Sequence, residues 1–150
     1  DNTVVLHTFS KLYGLPALRL GWGFMPPVIA DVLNRVRGPF NVSSPALAAG
    51  LAAINDAEHT LRSVAHNTLW RKNLSEGLET LGLRVYPSEG NFILADFGAR
   101  AEAANRHLLE NGIIVRDVTA YGLPTYLRIT IGTAGVMEQL LAVLKNETFQ

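Results

Sequence analysis

The stretch Phe9-Ser10-Lys11-Leu12-Tyr13-Gly14-Leu15-Pro16-Ala17-Leu18-Arg19-Leu20-Gly21-Trp22-Gly23 sets the tightest limit on what this chain can fold into. Ahead of it, residues 3–9 form a run that is apolar on both faces. Such a run reads as a strand from the inside of a parallel sheet covered by helices. One strand cannot make that sheet, so its neighbours are expected outside these 150 residues. Residues 20–24 read as a second strand. Alone, Ser10-Lys11 is a solvated pair and Gly14-Leu15-Pro16 a turn. The information lies in the joint register of strand, Ser10-Lys11, Gly14-Leu15, Arg19 and Gly21.

In that register the segment resembles the lysine segment of fold-type I pyridoxal-phosphate enzymes, S-K-x-x-G-[LI]-x-x-x-R-x-G. The resemblance implies pyridoxal 5'-phosphate as cofactor, with Lys11 as the Schiff-base residue. Its chemistry explains the residue types. A lysine amine is nucleophilic only when part of its population is neutral, which low dielectric and nearby cations favour. Once displaced by substrate, the amine can shuttle the proton at the substrate's α-carbon. The cofactor phosphate needs a cation and hydroxyl donors, which Arg19 and Ser10 offer.

Members of this family carry a long half before the lysine. It holds the aromatic that stacks on the pyridoxal ring, the aspartate facing the pyridine nitrogen and a phosphate-binding helix start. The chain begins Asp1-Asn2-Thr3 and enters a strand at once. It therefore reads as the C-terminal part of an α/β, aspartate-aminotransferase-like fold. The expected parts are a remnant of the large cofactor-binding domain (1–55, including the start of a connecting helix) and a small C-terminal α/β domain (56–150).

Further along, Pro26-Pro27 opens a helix to about Arg35, since proline suits a first helical turn, and Gly38-Pro39 ends it. Ser43-Ser44-Pro45 offers an N-cap. Residues 45–81 read as helical throughout, Ala-rich first, then amphipathic at Leu61, Val64, Ala65, Leu69, Leu74 and Leu78, with a break near Asn55-Asp56. Gly82 is a natural stop. Strands are expected at 83–86, 92–96, 113–116 and 126–131, and helices at 99–111 and 134–144. That alternation predicts a small sheet covered by helices on one side.

Two arginines form a second constellation. Arg128 shares a strand face with Tyr126 and Thr130, where a lone charge ordinarily faces solvent. Arg116, in Gly112-Ile113-Ile114-Val115-Arg116-Asp117, can equally be one half of a surface ion pair with Asp117, worth little. The two motifs, with Asn91-Phe92, resemble those of the histidinol-phosphate aminotransferases, although Gly90 departs from the commoner residue there. That resemblance implies that Arg128 binds the substrate α-carboxylate, Arg116 the substrate phosphate, and that Asn91 belongs to the substrate site. It further implies amino transfer between histidinol phosphate and 2-oxoglutarate in histidine biosynthesis. Two other enzyme readings stay open: an aromatic or broad-specificity aminotransferase, which has the same lysine segment, and a threonine-phosphate decarboxylase, which also binds a phosphorylated substrate. A piece with only a structural or interaction role, inactive by itself, is the reading from another class.

Thirteen basic and thirteen acidic residues leave no net charge, hence no electrostatic footprint for nucleic acid or an anionic membrane. The absence of cysteine excludes disulfides and thiolate metal sites, and no run reaches the length of a membrane span. The composition suits a cytoplasmic enzyme, and the resemblance implies a homodimer acting on small amino and keto acids. His59 and His66, seven apart on a helix, read as surface or packing residues rather than a metal pair. His7 reads as a hydrogen-bonded core residue. Trp22, Trp70 and Tyr121 read as core or interface, with Tyr121 able to border the substrate site.

Overall fold

The apolar run near the start becomes strand β1, Val5–Thr8, in a computed structural model that describes residues 2–146. Residue 1 and residues 147–150, the outer ends of the two expected domains, lie outside the described residues. Strand β2, Gly21–Phe24, returns alongside β1 in antiparallel register, Val5 opposite Phe24 and His7 opposite Trp22. The expected parallel pairing is thus not met within this chain, and every residue of both strands is exposed. Apolar faces record that a strand is meant to be covered, not the direction of its neighbour. The direction here comes from the connection, which folds back so that the Phe9 amide donates to the Leu20 carbonyl (3.0 Å). His7 is accordingly not a core histidine: it stacks on Trp22, with ring centroids 4.3 Å apart and planes 10° from parallel.

Helix α1, Pro27–Val36, begins at the expected proline. Helix α2, Ser44–Asn55, is capped by the Ser43 hydroxyl, which accepts from the Ala46 amide (3.3 Å). Its small residues serve a close approach. Ala46 and Gly50 are buried, and a β-carbon at Gly50 would overlap the Leu20 side chain. Helix α2 ends at Asn55, and α3, Ala57–Thr80, follows the break at Asp56. Along α3, Leu61, Val64 and Leu69 are exposed whereas Leu74 and Leu78 are fully buried. The chain divides into two compact units, Asp1–Val64 and Ala65–Gln150.

The second unit is built on a four-stranded sheet: β3 (Arg84–Tyr86), β4 (Phe92–Asp96), β5 (Arg116–Asp117) and β6 (Tyr126–Thr130), ordered β3-β4-β6-β5 with every neighbour antiparallel. Period-two alternation sends Ile93, Ala95, Leu127 and Ile129 to one face. There they join Leu74 and Leu78 of α3, Ala104 and Leu108 of α4 (Ala101–Glu110), and Met137, Leu140 and Leu144 of α5 (Ala134–Lys145) in one core. The strand expected at 113–116 shrinks to Arg116–Asp117 because its first amide is used elsewhere. The Ile113 amide donates to Leu108 O (2.8 Å) and the Gly112 amide to Leu109 O (2.9 Å). Gly112, at φ +76°, makes this a Schellman closure of α4. Among the described residues no helix is long and apolar enough to cross a membrane.

Candidate active site

Lys11 sits in the loop that leaves β1. Backbone bonds from Gly14 N to Lys11 O (2.9 Å) and from Leu15 N to Phe9 O (3.0 Å) close a tight turn around it. Gly14 has φ +66°, a conformation that costs glycine little, which explains its place three residues after the lysine. Phe9, 3% exposed, anchors the loop from below. Lys11 is exposed and has no hydrogen-bond or ion-pair partner among the described residues. The Ser10 hydroxyl accepts from Thr8 Oγ1 (2.9 Å), which leaves its own hydrogen to donate.

Arg19 follows a short 3-10 turn, Pro16–Leu18. It holds a left-handed backbone, φ 52°, which is strained for a residue with a β-carbon. One terminal nitrogen donates to Pro16 O (2.6 Å), and the other donors of the fork remain. A hydroxyl donor, an unpaired amine and a guanidinium with spare donors on one segment fit an anionic aldehyde cofactor.

In the second unit, the sheet face opposite the helices carries the arginines. Arg116 of β5 stands directly opposite Arg128 of β6. Like charges in that position repel unless an anion lies between them. Neither arginine makes an ion pair among the described residues, and Arg128 Nε is buried without a hydrogen-bond partner. The Arg128 guanidinium lies 4.9 Å from the centre of the Phe92 ring. Arg116 is not paired with Asp117; it donates to the Tyr121 hydroxyl (2.9 Å). Arg116, Asp117, Tyr121, Arg128 and Thr130 line a cleft of about 480 Å³. Thr119 hydrogen bonds, from its hydroxyl and from its amide at 2.7 Å, hold the Asp117 carboxyl below its ordinary pKa. The cleft therefore carries two cations and one anion, a positive balance.

The structure brings Arg116 and Arg128 together, and with them Tyr121. Asn91 is exposed at the head of β4, and its carbonyl accepts from the Ile131 amide (2.9 Å), extending the β4–β6 ladder. Phe92 beneath Arg128 and the Tyr86–Tyr126 pair (hydroxyls 3.2 Å apart) are the features sequence reasoning missed. The Tyr86 bond raises the Tyr126 phenol above its ordinary pKa, so its proton is retained through neutral pH. Both depend on strand register, which no local motif carries. His66 Nε2 bonds Gly132 O (2.8 Å) and Trp70 packs against the core, both structural roles.

The family model for aminotransferase class I and II matches residues 1–144. A histidinol-phosphate aminotransferase from Hyphomonas neptunium is 51% identical over 150 residues, covering 99% of this chain and 41% of that protein. Its counterpart from Granulibacter bethesdensis is 54% identical over 135 residues, covering 89% and 36%. The solved structure of histidinol-phosphate aminotransferase from Sinorhizobium meliloti in complex with pyridoxal-5'-phosphate superposes with a TM-score of 0.82 at 28% identity, covering 95% of this chain and 41% of that one. The chain spans about two fifths of the length of the curated relatives it matches. With a lysine turn in one unit, an opposed arginine pair in the other and a family match along nearly its whole length, this chain belongs to the aminotransferase class I and II family.

Proposed function

We propose that the full-length protein is a pyridoxal-5'-phosphate-dependent transaminase that moves an amino group between histidinol phosphate and 2-oxoglutarate. Residues 1–55 are the remnant of its large domain and residues 56–150 its small domain, and it works as a cytoplasmic homodimer. The observation that carries the substrate assignment is the cross-strand pairing of Arg116 with Arg128, two cations facing one cleft with a buried, unpartnered Nε. Names of relatives at about half identity support the histidinol-phosphate side of that reading.

Lys11 tethers the cofactor and carries the proton at the substrate's α-carbon. Ser10 and Arg19 hold the cofactor phosphate. When bound, the cofactor supplies the electron sink, and the protein supplies orientation and charge. Arg128 takes the α-carboxylate of glutamate through its planar fork, stiffened by the Phe92 ring. Arg116, oriented by Tyr121, takes the phosphate of the other substrate, and Asn91 borders the substrate. Glutamate has an α-carboxylate and the phosphorylated amino alcohol has none. One cleft must therefore accept two anion patterns, and two arginines on neighbouring strands suit that need.

Half-reaction kinetics separate the roles. Arg128→Ala is expected to slow the glutamate half-reaction by at least about thirtyfold, since losing one partner of a desolvated charge pair costs roughly 2–5 kcal/mol. Arg116→Ala is expected to harm the phosphorylated substrate most. Equal damage to both half-reactions in both variants would mean a structural role for the pair and would remove this substrate assignment.

A further inference from the structure

The turn around Lys11 satisfies its own backbone at Lys11 O and Phe9 O. The next carbonyl, Leu12 O, receives its bond from outside the segment: His59 Nε2 lies 3.2 Å away, from a residue 47 positions along the chain. A carbonyl oxygen can only accept, so Nε2 carries the hydrogen. His59 is itself well held in the first turn of α3. Its amide donates to the Asp56 carboxylate (2.8 Å), and the Ser63 hydroxyl lies 3.4 Å from the same ring nitrogen. Both ends of the contact belong to the first unit.

We infer that His59 is a positioning residue for Lys11. By pinning the peptide plane one residue beyond the lysine, it restricts the swing of the turn and presents the amine in a fixed direction. Preorganisation of this kind acts on the rate at which the amine meets its aldehyde partner. The second constellation is not involved, so the effect is confined to steps that use Lys11.

The proposal rests on the reading of Lys11 as the cofactor lysine, and the experiment has an arm that does not. In cofactor-free full-length protein, hydrogen exchange at the Gly14 and Leu15 amides, the two that close the turn, is compared between wild type, His59→Leu and His59→Gln. Leucine keeps bulk without a donor; glutamine restores a donor at similar reach. The expectation is about five- to tenfold faster exchange in His59→Leu, the net worth of one hydrogen bond, with His59→Gln near wild type and the Ile129 amide unchanged throughout. The second arm follows attachment of pyridoxal phosphate to Lys11 by borohydride trapping, with the same ordering expected. If His59→Leu does not fold, His59→Asn, whose amide falls short of the carbonyl, takes its place. Unaltered exchange in the donor-free variant, or equal loosening by leucine and glutamine, would overturn the proposal. Normal exchange ordering with no trapping at Lys11 in wild type would instead overturn the cofactor reading and leave His59 as a loop tie.

Discussion

The two units spend their apolar residues in opposite ways. In the second, Ile93, Leu108, Leu127, Ile129 and Leu140 are each 2% exposed or less and sit in one continuous core between a sheet face and three helices. In the first, the buried hydrophobics are Phe9 and Ala46, while Leu6, Phe24, Val28, Val36 and Phe40 all exceed 70% exposure. The contrast separates two meanings of an apolar pattern. A sheet with helices on one side closes its own account of surface. A two-stranded ribbon that is apolar on both faces is written for further protein, and large exposed apolar patches mark an interface or an aggregation site. The lysine turn lies on the unit that buries little, the arginine pair on the unit that is self-sufficient.

Hydrogen exchange on the 150-residue chain gives this comparison its largest effect. Amides of β4, β6 and α5 are expected to exchange slower than those before Pro26 by orders of magnitude, because only the former close a core. Sedimentation should show self-association through the exposed β1–β2 edge. A monodisperse monomer with a strongly protected β1 would break the contrast. Next in size is a pair of substitutions. Leu140→Ala should cost about 2–5 kcal/mol of unfolding free energy, and Leu6→Ala no more than about 0.5 kcal/mol in the isolated chain. Equal costs in denaturant titration would mean that β1 is buried in solution. Smaller still, Arg19→Ala should weaken cofactor retention by the full-length protein about ten- to hundredfold, the worth of one charge-assisted contact at roughly 1.5–3 kcal/mol, with little change in substrate affinity once the cofactor is loaded. An unchanged cofactor dissociation constant would contradict that role.

Local signals carried most of the elements. Pro27 opens a helix as expected, the Ser43-Ser44-Pro45 segment caps the next with Ser43 as the cap, the helical stretch breaks at Asp56 as expected, and β4 occupies residues 92–96. What stayed hidden was set by partners distant in sequence. The β1–β2 direction depends on how the Lys11 loop returns. The start of β5 depends on the Schellman closure that takes Ile113's amide. By pattern alone Arg128 is a lone strand charge; the resemblance set it beside Arg116 at the substrate, but that the two stand directly opposite each other emerges only from the β5–β6 register. The tie from His59 to Leu12 joins a helix surface to a loop 47 residues away, and no spacing rule links them.

Covalent chemistry at Lys11, with anion recognition by the arginine pair, is the division of labour on which the functional account stands. The most direct test loads full-length protein with pyridoxal phosphate, reduces it with borohydride and finds the labelled peptide by mass. The label is expected on the Lys11 peptide in wild type and equally in the Arg116→Ala, Arg128→Ala double variant, and is expected to vanish together with turnover in Lys11→Ala. A label on another lysine, or transaminase turnover that survives Lys11→Ala, would contradict the account.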